Sequence, residues 1–175
     1  MPTIMARTLL ILLALFPLAG CYHSPVCTLP ADPKHAANDR LDTFHAAAAV
    51  ADFDAYFNCF TNDAIFLGTD ATERWTVDQF KAYCKPYFDQ GKSWVYTPRD
   101  RHLMFVPGYD HAFIYFDELL ENVKYGTCRG TGVMVLDGSP PTWRIAHYSL
   151  SFMIPNDKAA EVTTITKPAS TSTSK

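Results

Sequence analysis

A chain of 175 residues that is 48% hydrophobic and 14% aromatic can build one packed domain, and its length gives no reason to divide it further. Its formal charge of −3 is spread along the chain without a block of one sign. Nucleic-acid binding, which needs a basic stripe, is excluded as a reading, and so is strong electrostatic steering of a charged substrate.

The chain begins MPTIMARTLLILLALFPLAGC, with Arg7 followed by an apolar run from Leu9 to Ala19 broken by Pro17. A spanning helix needs ~20 apolar residues, so this run is too short and has the length of a signal-peptide core. Its end, Leu18-Ala19-Gly20-Cys21, resembles the lipobox of bacterial lipoproteins. That resemblance implies cleavage before Cys21 and lipidation of its thiol. Tyr22, where an aspartate would retain the protein at the inner membrane, implies an outer-membrane anchor facing the periplasm. Buried acyl chain contributes ~0.8 kcal/mol per methylene, and more than one chain is needed for stable attachment. Residues 1–20 are thus expected to be a leader and 21–32 a tether. Four further cysteines, Cys27, Cys59, Cys84 and Cys128, allow three full pairings, and the sequence does not choose between a bridge and free thiols.

Asp32-Pro33 suits a helix start, with Asp as N-cap and Pro at the first helical position. Leu41, Phe44, His45 and Ala48 then fall at helical spacing, and Asp52 restarts a helix through Phe53, Tyr56, Phe57 and Phe60. Ala64 to Thr69 reads as a short strand. Thr76 and Gln79 form a capping-box pattern ahead of Phe80, Tyr83, Cys84, Tyr87 and Phe88, with Pro86 expected to bend that helix. After Gly91 the pattern alternates. Ser93–Val106, Ala112–Leu120, Lys124–Leu136 and Thr142–Ile154 read as long strands joined by turns at Gly108-Tyr109-Asp110 and Asp137-Gly138-Ser139. Helices first and an antiparallel meander after predict an α+β domain over 33–156. From Asp157 to Lys175 the chain is Lys-, Thr- and Ser-rich and is expected to be disordered.

This order of elements is similar to the nuclear transport factor 2-like superfamily, and the local words FTNDAIFLGTDATERWT (60–76), WVYTPRDRHL (94–103), FIYFDELL (113–120), YGTCRGTGVMV (125–135) and WRIAHYSLSFMIPN (143–156) resemble its SnoaL-like branch. The likeness covers roughly residues 35–156. It implies a cone: a curved antiparallel sheet around N-terminal helices, enclosing an apolar cavity into which one or two polar groups project. It does not imply an activity, since such folds serve isomerases, dehydratases, cyclases and binding domains alike.

In FIYFDELL, strand alternation sends Asp117 and Glu118 to opposite faces, so they are not an acid/base pair. Asp117 shares its face with Phe113 and Tyr115 and is the expected cavity carboxylate, with a rim position as the plain alternative. His147, among Trp143, Ile145, Ser149 and Ser151, is the second candidate general base, or a structural histidine. Trp75, Trp94, Tyr96 and Tyr115 are candidates for an aromatic ligand wall, though aromatics in strands are more often core. Arg129 is a candidate for holding a ligand carboxylate, or a surface residue. Asp63, Asp70, Glu73 and Arg74 surround the GTDATER turn; Glu73 or Arg74 suits the cavity mouth. YGTCRGTG is not a phosphate loop, because no G-K-[ST] and no helix follows. Gly126, Gly130 and Gly132 instead share a face and suit close approach by another element. The histidines show no metal-binding spacing, and no metal or cofactor is expected.

These residues read as a membrane-anchored lipoprotein whose SnoaL-like domain binds a small, mostly apolar ligand. The alternatives are a cofactor-independent isomerase, dehydratase or cyclase using Asp117 or His147, and an assembly module that homodimerises through the sheet. For the anchor, Cys21→Ser is expected to release the protein from the membrane fraction or to block its processing; membrane retention with normal N-terminal cleavage would refute it.

Overall fold

The computed structural model describes residues 31–109 and 112–167; the leader, Cys21, Cys27 and the last eight residues of the tail lie outside them. Helix α1, Pro33–Ala49, starts where Asp32 accepts a hydrogen bond from the His35 amide (3.0 Å). Its buried stripe is Ala37, Leu41, Phe44, His45, Ala47 and Ala48, five apolar residues and one histidine. Helix α2, Phe53–Phe57, is capped in the same way by Asp52, through the Ala55 amide. Strands β1 (Phe60–Leu67) and β2 (Arg74–Thr76) follow, and the Thr76–Gln79 capping box opens helix α3, Val77–Phe88. The proline at 86 lies inside α3, two residues before its end. There its missing amide costs little of the helix.

The second half is a meander of β3 (Thr97–Phe105), β4 (Phe113–Asn122), β5 (Gly126–Asp137) and β6 (Thr142–Phe152). The sheet order is β2-β1-β6-β5-β4-β3. Neighbours are antiparallel except β1 and β6, which run parallel: after α3 the chain enters at the far edge with β3, and the meander brings β6 back beside β1. The α+β architecture expected from the sequence is observed, with α1–α3 packed on the inner face of the sheet.

Two β-bulges decide which side chains enter the core. In β3 the register with β4 shifts between Arg99 and His102, and Asp100 adopts a left-handed backbone (φ 49°). In β6 the register with β5 shifts between Ile145 and His147. An extra residue reverses the alternation beyond it. Trp143 and Ile145 are therefore buried before the β6 bulge, and Tyr148 is buried after it.

The glycines of β5 admit rings rather than a helix. A methyl group on Gly130 would lie 2.2 Å from the Tyr148 hydroxyl, and one on Gly132 would meet the His147 carbonyl at 2.3 Å and the Phe116 ring at 2.8 Å. Gly126 is instead the exposed first residue of β5, with φ 70°. Cys59, Cys84 and Cys128 are buried free thiols. Burial pushes the Cys84 thiol up to about 12.

The expectation of disorder from residue 157 is corrected in part: a 3-10 turn at Asn156–Lys158 leads into helix α4, Ala159–Thr166. Local bonds hold it. Lys158 pairs with Glu161 at 2.9 Å, and the Thr163 and Thr164 hydroxyls donate to carbonyls one turn back. None of its residues is buried. Deleting residues 158–175 is expected to leave the urea-unfolding free energy unchanged to within about 0.5 kcal/mol; a larger loss would mean that α4 docks on the domain.

Candidate functional site

An open cleft of about 680 Å³ lies at one end of the sheet. Four segments wall it: the β1–β2 turn with Gly68, Thr69, Glu73 and Trp75; helix α3 with Phe80, Tyr83 and Tyr87; the connection to β3 from Lys92 to Tyr96; and the β4–β5 turn from Glu121 to Tyr125. Phe66, Thr97 and Leu150 complete the lining. The rings form a stack. Tyr148 lies against Phe66 (5.5 Å between centroids, 10°), Phe66 against Phe80 (4.0 Å, 18°), Phe80 against Trp75 (5.4 Å, 10°) and Trp75 against Tyr83 (4.7 Å, 24°). Trp75, Trp94 and Tyr96 thus line the cleft, and Trp75 and Trp94 also pack against the core.

The turn at the mouth is built as the sequence suggested. Asp70 accepts from the Thr72 hydroxyl (2.6 Å) and amide (2.8 Å), and these bonds lower the Asp70 carboxyl below its ordinary range. Glu73 lines the cleft, and its Oε2 accepts from the Asp70 amide at 3.2 Å. Asp63 and Arg74 are exposed.

Beneath the cleft lies a second void of only about 20 Å³, room for about one water molecule. It shares Phe66, Trp94, Tyr96 and Leu150 with the cleft and is closed below by Phe44, His45, Ala48, Tyr56 and Tyr148. The expected deep cavity is therefore largely filled by side chains. Next to the void sits the one fully buried carboxylate among the described residues, Glu118. Its Oε1 is 2.7 Å from His45 Nε2, and its Oε2 accepts from Arg101 Nε at 2.7 Å. The Tyr148 hydroxyl donates to Oε1 from 3.5 Å. Arg101 continues to α1, where Nη1 donates to Asp42 (2.7 Å) and to the backbone and side-chain oxygens of Asn38 (3.3 Å each). Burial alone would lower the Arg101 guanidinium, but the Glu118 and Asp42 carboxylates outweigh it and raise it. Burial first, and then Glu118, raises the Tyr148 phenol well above its ordinary value. Burial likewise raises the Tyr96 phenol, with Cys128 beside it adding to the shift.

These positions correct four readings of the sequence. Glu118, not Asp117, faces inward, because it shares a face with Ile114, Phe116 and Leu120, all buried. Asp117 is on the outer face, 41% exposed and 3.4 Å from His102 Nδ1. Tyr115 shares that face and is 45% exposed, so it does not reach the cleft. Arg129 is exposed, paired on the outer face between Leu119 and Ser151. His147 is turned outward by the β6 bulge and stands in a row with Ile65, Val133 and Tyr115. None of Asp117, His147, Tyr115 and Arg129 lines either cavity. The sequence reading missed Arg101, Asp42 and Tyr148, and it took His45 only as part of a helical face. The signal for His45 was present: a histidine on an otherwise apolar stripe requires a polar partner in the core. Among the described residues no group of three or more His, Cys, Asp or Glu is close enough to hold a metal ion.

The sequence profile of the SnoaL-like domain matches residues 37–155. The chain belongs to the SnoaL-like domain family. Solved structures agree on the fold. A nuclear transport factor 2-like protein from Cytophaga hutchinsonii aligns over 70% of this chain and 99% of its own at 15% identity and a TM-score of 0.56. A candidate scytalone dehydratase from Novosphingobium aromaticivorans covers 69% and 84% at 9% identity and a TM-score of 0.55. A ketosteroid isomerase-like protein from Erwinia carotovora atroseptica covers 72% and 100% at 12% identity and a TM-score of 0.52. At these identities the likeness shows the fold alone. No curated protein matches the chain.

Breaking a buried ion pair by removing one partner costs about 3 kcal/mol or more. Glu118→Gln is expected to lower the urea-unfolding free energy by about that amount, since it leaves Arg101 and His45 without their carboxylate. Asp117→Asn, at an exposed pair, is expected to change it by less than about 0.5 kcal/mol. Equal effects would contradict the inward assignment of Glu118.

Proposed function

We propose that the protein is a membrane-anchored SnoaL-like binding protein that holds a small, mostly apolar, ring-bearing ligand in the 680 Å³ cleft. The observation that carries this reading is the lining: flat rings from α3, β2 and the α3–β3 connection form its apolar part, beside polar side chains from the turns and from that connection. Ligand sites have this size and this apolar, aromatic character. The lipobox-like Cys21 supports attachment to the cell envelope, with the cleft facing the periplasm. The outer sheet face carries the exposed rings of Phe113 and Tyr115, which supports a homodimer through the sheet.

A second reading, a cofactor-independent isomerase, dehydratase or cyclase, is supported by one observation. The Glu118–His45–Tyr148 cluster borders the small void, and that void shares a wall with the cleft. In this reading the proton-handling groups are Glu118 and His45 rather than Asp117 and His147. The names of the candidate dehydratase and the ketosteroid isomerase-like neighbour agree with it.

Titration with the neutral probe 2-naphthamide tests the first reading. Saturable quenching of tryptophan fluorescence is expected, because Trp75 and Trp94 line the cleft. Each ring contact is worth about 0.5–1.5 kcal/mol, so Tyr83→Ala with Tyr87→Ala should weaken binding about tenfold. Asp117→Asn and Arg129→Ala, on the outer face, should leave it unchanged. Quenching without saturation, or indifference to the tyrosine pair, would overturn the reading.

A further inference from the structure

We propose that the ligand of this cleft is an aromatic carboxylate, or a compound of similar shape carrying one anionic group, bound with its ring among the cleft aromatics and its anion at the rim. The proposal rests on the cleft being a ligand site and adds the charge of the ligand.

Four charged side chains line the cleft: Glu73, Glu121, Lys92 and Lys124. Glu121 is paired with an arginine, which leaves Glu73, without an ion pair among the described residues, as the one carboxylate set against two ammonium groups. Glu121 accepts from Arg99 Nε and pairs with its Nη2, both at 2.8 Å, and accepts from the Thr127 hydroxyl at 3.0 Å; the bonds from Arg99 and Thr127 lower its carboxyl below the ordinary range. Glu73 is folded back over its own turn, where its Oε2 meets the Asp70 amide, and a methyl group on Gly68 would lie 2.1 Å from that oxygen.

The lysines are not neutralised. Lys92 donates to Gln90 Oε1 at 2.8 Å, a neutral partner, and Lys124 sits over the Tyr125 ring with its Nζ 4.9 Å from the centroid. Neither forms an ion pair with a carboxylate among the described residues. They come from separate segments, the α3–β3 connection and the β4–β5 turn, and both line the same cleft. The deeper lining is Phe66, Phe80, Trp94 and Leu150, which carries no cationic side chain. A ligand matched to this surface is therefore amphiphilic, its ring inward and its negative charge outward against two ammonium groups. The attraction acts at a wet rim, so it is moderate and screened by salt.

The test compares 2-naphthoate with its neutral near-isostere 2-naphthamide and the cation 2-naphthylmethylammonium by tryptophan quenching at low ionic strength. Naphthoate is expected to bind about tenfold more tightly than naphthamide, and the cation more weakly than both. Raising the salt to 0.5 M should erase most of the difference. In the exposed pair Lys92→Gln with Lys124→Gln, the preference for naphthoate over naphthamide should disappear. Equal affinity of naphthoate and naphthamide for the native protein would overturn the proposal while leaving the cleft as a neutral ligand site. A naphthoate preference that persists in the lysine pair would overturn it too, by showing that the anion is held elsewhere. Failure of all three probes to bind would overturn both this proposal and the cleft reading.

Discussion

One carboxylate orders the interior. Glu118 sits in the centre of β4 with no exposed surface, and a charge in such a place persists only if its oxygens are bonded. They are: one meets His45 of α1 and the other meets Arg101 of β3, which itself reaches back to Asp42 and Asn38 of α1. The network thus ties the first helix to the far edge of the sheet. It also fixes what surrounds it. Arg101 enters because of the bulge at Asp100, and Tyr148 lies over Gly130 because no side chain there blocks it. Replacing such a network by apolar residues of equal volume is often neutral in stability. The geometry therefore bears on specificity and orientation of the helix more than on net folding energy.

The same packing explains why the ligand-sized space lies at one end of the domain. Rings from α1, α2, α3 and β1 fill the cone, with Phe44, Tyr56, Phe57, Phe60 and Phe80 in mutual contact. Only about 20 Å³ is left beside His45. The open cleft begins where this cluster ends, and Phe66, Phe80 and Trp94 belong to both. An aromatic in this fold need not be either core or binding wall: Trp75 stacks on Phe80 with one surface and lines the cleft as well.

Much of the fold was legible in the sequence because its signals are local. Asp32, Asp52 and the Thr76–Gln79 pair cap helices as their patterns indicate, and the four long strands follow from alternation and turn residues. The site was less legible because it depends on parity along strands that are apolar on both faces. Phe113 and Tyr115 made the Asp117 face look as internal as the face of Ile114, Phe116 and Leu120. The choice is settled by contacts distant in sequence, 73 residues apart for His45 and Glu118. For His147 the alternation was counted correctly, but the bulge before it reversed the outcome. No residue type at Ala146 announces a bulge. The helix at the end of the chain was missed because composition alone suggested no partner for it, and its bonds are all to near neighbours.

The two bulges have a consequence for how chemistry is passed on among proteins of this shape. Adding or deleting one residue in β3 or β6 would exchange the inner and outer side chains beyond that point without altering composition or topology. Arg101 would then be solvated and His147 interior, and the domain would acquire a different set of polar groups around the same helices. Proteins at 9–15% identity that share this fold can still differ in this phase. What two such domains have in common chemically is read from the positions of their bulges before it is read from matching letters in an alignment.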